Sequence, residues 1–207
     1  MKRFHAVLSF LLICGFLYYG FYSMMPRTGT SADIPDTEFS TERALVPLKE
    51  ISKAPHFTSS EALVDVREYL LQELTKLGLQ PETQEGFVID THRGSLNKPI
   101  NILARLEGSE NGKALLVFTH YDSALVPSYG ASDAGSGVVT ILESIRAFKA
   151  SGKQPKNDII ILFTDGEETG LDGAKLFVRE HPWAKDVGLS LNFEARGSGG
   201  PSNMILE

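Results

Sequence analysis

Residues 163–170 read FTDGEETG, directly after an apolar run from Ile159 to Leu162. Asp165, Glu167 and Glu168 therefore stand where a buried strand stops. Carboxylates crowded beside a core repel one another and lose hydration. A solvated turn avoids that cost, and so does a cation held between them. Similar residues follow other apolar runs. His120, Tyr121 and Asp122 come after Ala114 to Thr119, and Glu194 comes after Val187 to Phe193. Ser132 and Asp133 precede a helical pattern that opens with Gly135 and Gly137. Imidazole with carboxylate oxygens is a ligand set for zinc, and less well for manganese or iron.

Each residue alone has an ordinary reading. A single histidine at a strand end is usually a core or surface residue. Asp133 before a helix is an N-cap, Glu167 and Glu168 a solvated turn, and Glu194 an ion-pair partner of Arg196. Their joint placement at the ends of apolar runs is what points to a metal. His181 reads as a charge partner at a helix C-terminus. His56 and His92 read as loop residues, not ligands.

The elements that must position these groups follow from periodicity. Phe39 to Ile51 reads as a helix. Thr58-Ser59-Ser60-Glu61 is a capping box that opens an amphipathic helix with Leu63, Val66, Leu70, Leu74 and Leu77 on one face, and Gly78 just past its end. Phe87 to Ile89, Ile100 to Leu106, Ala114 to Thr119, Asp158 to Thr164 and Val187 to Phe193 read as strands. Gly137 to Lys149 and Leu171 to Glu180 read as helices. Strands alternating with helices predict an α/β three-layer sandwich with a mixed, centrally parallel sheet. In such sheets ligands bind at the carboxyl ends of the strands, where the polar residues lie.

Composition narrows the class. The chain has 207 residues, 42% apolar and 22% charged, as expected of a folded domain. The formal net charge is −6, and no basic stripe with interleaved aromatics is present, which argues against a nucleic-acid partner. Cys14 is the only cysteine, so a disulfide framework and a cysteine zinc site are excluded. From Phe4 to Met25 the chain is almost uncharged, long enough to span a bilayer, and lacks the small-residue cleavage site of a signal peptide. Residues 1–27 are thus expected to be a membrane anchor, residues 28–37 a linker and residues 38–207 the folded domain. Lys2 and Arg3 before the span orient the domain outside the cytoplasm: periplasmic, extracellular or luminal.

His120-x-Asp122, Ser132-Asp133-x-Gly-x-Gly, Asp165-Gly166-Glu167-Glu168-x-Gly170 and Asn192-Phe193-Glu194 together resemble the co-catalytic di-zinc metallopeptidases. These are the aminopeptidase Y, bacterial leucyl aminopeptidase and glutamate carboxypeptidase type. The resemblance covers roughly residues 55–207. It implies a zinc exopeptidase fold and peptide hydrolysis, most simply by an aminopeptidase. The attack would come from a metal-bound hydroxide. His120, Asp133 and Glu194 would hold a first zinc, and Asp133 would bridge to a second zinc that Glu168 also binds. Glu167 would be the general base, and Asp122 would orient His120. The resemblance further implies a strained, cis Asp133–Ala134 peptide. The family's second zinc takes one more histidine beyond the strand before Glu194. None follows here, and Met204-Ile205-Leu206-Glu207 reads as a strand in progress, so an incomplete form is expected. A glutaminyl-cyclase-like zinc transferase and a non-catalytic receptor-like module on the same fold are the rival readings.

Overall fold

The computed structural model describes residues 2–26, 28–91, 93–195, 197, 199 and 204. His92 and most of the strand expected at Met204 to Glu207 lie outside the described residues. Two units are distinguished, Gly29–Arg196 and Met1–Thr28 with Gly197–Glu207.

Alternation along the apolar runs decides the architecture of the larger unit. In β4 (Ile100–Leu106), Ile102 and Ala104 face one side of the sheet and Leu103 the other, and all three are buried. β6 (Ile159–Thr164) repeats the pattern, with Ile161 and Phe163 on the first side and Ile160 and Leu162 on the second. A strand buried on both faces needs a layer on each. On the first face lie α2 (Thr41–Ile51), α3 (Glu61–Lys76) and α4 (Ser136–Ala150), through residues such as Ala44, Leu70 and Ile141. On the second lies α6 (Asp172–Glu180), whose Phe177 joins Leu103, Leu116, Ile160 and Leu162. The three-layer α/β sandwich is therefore present.

The remaining strands of the sheet are β1 (Glu82–Glu85), β5 (Ala114–His120) and β7 (Val187–Asn192), in the order β1-β4-β6-β5-β7. β1 and β6 both run antiparallel to β4, while β6, β5 and β7 are mutually parallel. The parallel trio carries the polar strand ends. A separate hairpin joins β2 (Val88–Asp90) and β3 (Ser95–Asn97).

Observed helix boundaries follow local chemistry. The α3 N-cap is Ser60, whose hydroxyl accepts from Leu63 N, and the chain leaves the helix through Gly78 at φ +70°. The strand expected at Phe87 to Ile89 is the first half of the hairpin. β1, with sequence ETQE, has no apolar alternation to announce it and is set by pairing with β4.

The stretch read as a linker, residues 28–37, is not slack from Gly29 on. Arg43 of α2 donates to the carbonyls of Ala32, Ile34, Pro35 and Glu38. Its Nε also meets Glu143 Oε1 at 3.2 Å. Glu143, on α4 and 4% exposed, further accepts from Ser40 N at 2.9 Å and pairs with Arg146 at 2.6 Å. A segment rich in small polar residues exposes its carbonyls, and one guanidinium collects them. In the smaller unit, α1 (Lys2–Met24) is one exposed helix, long and apolar enough to cross a membrane.

Burial opposes the charge on Glu143, but Arg146, the Ser40 amide and Arg43 outweigh it and hold its pKa below the ordinary glutamate value. The stabilisation is thus present above the ordinary value and lost as pH falls through the lowered one. Glu143→Ala should lower unfolding free energy by about 3 kcal/mol, because two guanidinium groups lose their shared partner. Urea unfolding should show a reduced midpoint with unchanged slope. The variant should also lose the part of the acid sensitivity that Glu143 supplies.

Candidate metal centre

Sheet register brings the polar residues level. His120 pairs with Thr164 at the last rung between β5 and β6, so both strands stop together. Asn192 of β7 pairs with Phe118, so Glu194 lies level with His120, two residues further along each strand. Thr119 Oγ1 donates to Phe193 O at 2.6 Å and ties the two ends together. After β6, Gly166 at φ +69° turns the chain into a single helical turn, α5 (Glu167–Gly170). Asp133 sits within an irregular turn, Ala131–Gly135, closed by a π-type bond from Gly135 N to Gly130 O but non-helical at Asp133, with φ −114° and ψ 101°. The Asp133–Ala134 peptide is cis.

His120 is 2% exposed, and its two ring nitrogens face different partners. Nδ1 lies 2.9 Å from the Asp122 carbonyl and 3.5 Å from Asp122 Oδ1. Oxygen acceptors on that side require Nδ1 to carry the proton. Nε2 faces the crevice, 3.0 Å from Asp133 Oδ1, 3.7 Å from Glu194 Oε1 and 4.0 Å from Glu167 Oε2. Ligand atoms of His120, Asp133 and Glu168 all lie within 4.8 Å of one another. Glu194 stands beside this trio, its Oε1 also accepting from Ala195 N at 2.9 Å. Asp122, 1% exposed, accepts from the amides of Glu167 at 3.2 Å and Glu168 at 3.4 Å. It therefore holds both the histidine and the acidic turn.

The charges are strongly interdependent. Burial alone would lower the His120 pKa, but Asp122 and Glu194 outweigh it and raise it to about 11. Burial raises Asp133, and Glu194 beside it adds to the effect. Burial works against ionised Glu194 too, yet the His120 hydrogen bond and the Ala195 amide bring it down to about 2. Glu167 and Glu168 are both raised, first by burial and then by neighbouring carboxylates. Nitrogen and oxygen donors this close, with carboxylates resisting further negative charge, fit a divalent cation.

Two features were missed from the sequence. His56, set aside as a loop residue, is 2% exposed and lies against Ser123. Only its position just before a capping box, in a stretch that must fold back over the strand ends, could have signalled this. Behind the acidic turn, Asp165 accepts from Ile100 N at 2.9 Å, and Asp172 accepts from Thr169 Oγ1 at 2.8 Å and from Asn97. Both aspartates are buried, and burial foremost pushes Asp165 up to about 6.

Residues 101–207 match the model of peptidase family M28. The chain belongs to that family. Among M28 relatives, it is 38% identical over 170 residues to a vacuolar membrane protease of Schizosaccharomyces japonicus, covering 76% of this chain and 20% of that protein. It is 32% identical over 209 residues to one of Candida tropicalis, covering 92% and 22%. The chain thus spans about a fifth of the length of these relatives. The fold is shared with a glutaminyl cyclase of Porphyromonas gingivalis (TM-score 0.62, 23% identical, 72% of this chain and 55% of that one). It is shared also with a Zn-dependent exopeptidase of Parabacteroides distasonis (0.60, 23%, 72% and 58%). An aminopeptidase of Aneurinibacillus sp. is similar again (0.64, 12%, 76% and 71%).

The His120 shift has a measurable consequence. In the metal-free chain its raised pKa stabilises the fold fully below the ordinary histidine value, and that contribution is lost as pH rises through about 11. At pH 7 a metal on Nε2 must displace a proton. Zinc binding should therefore release about one proton or more, and affinity should rise with pH. Calorimetric titration in two buffers of different ionisation enthalpy measures the release. Identical heats in both would contradict the assignment of Nε2 as a ligand.

Proposed function

We propose that this chain carries the centre of a zinc-dependent peptide hydrolase, most simply an aminopeptidase. The observation that supports the reading best is the trio His120, Asp133 and Glu168, with ligand atoms within 4.8 Å of one another at strand carboxyl ends. His120, Asp133 and Glu194 would hold one zinc, and Asp133 with Glu168 would hold a second. When bound, zinc supplies a Lewis acid for the peptide carbonyl and lowers the pKa of water.

The chain's own residues would do the rest. The Asp122 carbonyl accepts a hydrogen bond from Nδ1–H of His120, so the ring presents Nε2 to the crevice. The side-chain carboxylate of Asp122 fixes the Glu167 and Glu168 amides, so one glutamate could face the metals while the other faces the attacking water. Glu167 would accept the water's proton and return it to the leaving amine. Its raised pKa brings it nearer the working pH of a general base than an exposed glutamate would be.

The apolar segment Phe4 to Met25 would be a membrane anchor in residues 1–27, with the hydrolase domain outside the cytoplasm. The relatives' printed name, vacuolar membrane protease, supports a membrane setting. A glutaminyl-cyclase-like transferase is the second reading, supported by the fold shared with the Porphyromonas enzyme. Hydrolysis of an aminoacyl reporter against cyclisation of an amino-terminal glutamine separates the two.

The two glutamates should fail differently. Glu168→Gln keeps the shape but removes the charge that binds zinc, so bound zinc and activity should fall together, and excess zinc should restore part of the loss. Glu167→Gln should keep its zinc and lower kcat by a factor of about 10² or more, with no rescue by added zinc. Zinc content by mass spectrometry and kcat on the reporter check both. Zinc loss confined to Glu167→Gln would reverse the roles. No change in either variant would return the pair to a solvated turn.

A further inference from the structure

We propose that His56 is a positioning residue of the metal centre, a spacer that fixes the segment carrying His120 and Asp122 against the turn carrying Asp133. The inference rests on the metal-centre reading above.

His56 meets the first segment through its backbone. Its N–H donates to Ser123 Oγ at 2.9 Å, and Ser123 N donates back to His56 O at 3.1 Å. Ser123 is fully buried, so its N–H and its hydroxyl oxygen depend on this pair. The residue before it is Asp122, whose carbonyl lies 2.9 Å from His120 Nδ1 and whose carboxylate receives the Glu167 and Glu168 amides. A shift of Ser123 would move that hub.

The ring meets the second segment. A Cβ on Gly130 would lie 2.9 Å from His56 Cε1, 3.1 Å from Nε2 and 3.0 Å from Ser123 Cβ. Ring, serine and glycine therefore touch at one point. Gly130, at φ +61°, is the residue before the π turn, and its carbonyl accepts from Gly135 N at 2.8 Å. That bond closes the loop on which Asp133 stands. The ring cannot swing away, because Nδ1 lies 2.9 Å from Ala54 O. A carbonyl only accepts, so Nδ1 carries the proton there.

Any residue at position 56 could form the backbone pair. What the imidazole adds is a rigid plate of fixed thickness between two ligand-bearing segments. His56→Ala keeps the pair and leaves a void beneath Gly130, which frees Asp133 relative to His120. His56→Asn keeps a donor for Ala54 O and much of the flat volume. A histidine that merely fills the core would affect stability without touching metal affinity.

The test uses the complete chain in detergent, stripped of metal. Zinc affinity is read by competition with a chromophoric chelator, ligand geometry by the visible spectrum of bound cobalt(II), and folding by thermal unfolding without metal. The expected result is a zinc affinity about 10- to 100-fold weaker in His56→Ala, with an altered cobalt spectrum, and recovery of most of the affinity in His56→Asn. Unchanged zinc affinity in His56→Ala, however far Tm falls, would overturn the proposal, as would an asparagine variant as weak as the alanine one. If His56→Ala does not fold, His56→Leu takes its place, since it keeps the backbone pair and fills the space but removes the flat ring and the donor to Ala54 O. A several-fold loss of zinc affinity there is expected, and parent-like affinity would overturn the proposal. A parent chain that binds no zinc would instead remove the metal-centre reading itself, and this inference with it.

Discussion

The Asp122 carboxylate ties together pieces of chain that are far apart in sequence. It is 1% exposed and receives the amides of Glu167 and Glu168, while its own carbonyl takes the Nδ1 side of His120. A buried carboxylate is costly unless donors and positive charge surround it. Here the donors are the first amides of a helical turn and the positive charge is an imidazolium 3.5 Å away. The need to satisfy this one group therefore sets how the acidic turn after β6 meets the end of β5. Other contacts then follow: Tyr121 N reaches Thr164 O at 3.0 Å, and Tyr121 Oη reaches Ile100 O at 2.7 Å.

The same crevice has a charge problem that Asp122 does not solve. Asp133, Glu167, Glu168 and Glu194 open onto one imidazole. In the metal-free chain, protons are the available positive charges. One stays on His120, and Asp133 rises while Glu194 falls, as in a pair that shares a single proton. Divalent charge would substitute for those protons, and the ligand atoms of His120, Asp133 and Glu168 already lie within 4.8 Å of one another. This is why the acidity of the turn and the histidine's high pKa belong to one account, in which neither would persist without the other.

Much of this was legible in the sequence because it follows from periodicity. Runs such as Ala114 to Thr119 and Ile159 to Leu162 are apolar on both faces, so they had to be central strands, and the polar residues after them had to lie at one sheet edge. Gly78 announces the end of α3, whereas its start falls two residues later than a box headed by Thr58 would set it, with Ser60 as the N-cap. What could not be read has tertiary causes. The polar strand ETQE forms because β4 offers it an edge. The Gly/Ser/Thr-rich stretch after Gly29 is ordered because Arg43 and Glu143, one hundred residues apart, meet beside it. His56 is the loop residue that the sequence indicates, but its burial could not be read, since nothing local tells that Ser123 and Gly130 will fold onto it.

The two halves of the centre are held with unequal firmness. His120 and Asp122 have side chains 1% and 0% exposed, and they stand on or next to a strand paired on both sides. Glu194 follows β7, which among the described residues pairs only with β5, and Leu189 on it is 61% exposed. The Asp133 side chain is 49% exposed on an irregular turn. Close approach holds this softer half: a Cβ on Gly137 would come within 2.6 Å of Thr119 Oγ1 and 2.7 Å of Phe193 O. Glycine there lets the start of α4 press against the ends of β5 and β7, and so brings Asp133 toward Glu194. The coupled acids therefore lie on the less buried side and face a histidine whose orientation is already set. In a centre built this way, the fixed imidazole would define where a cation sits, and the carboxylates would settle around it.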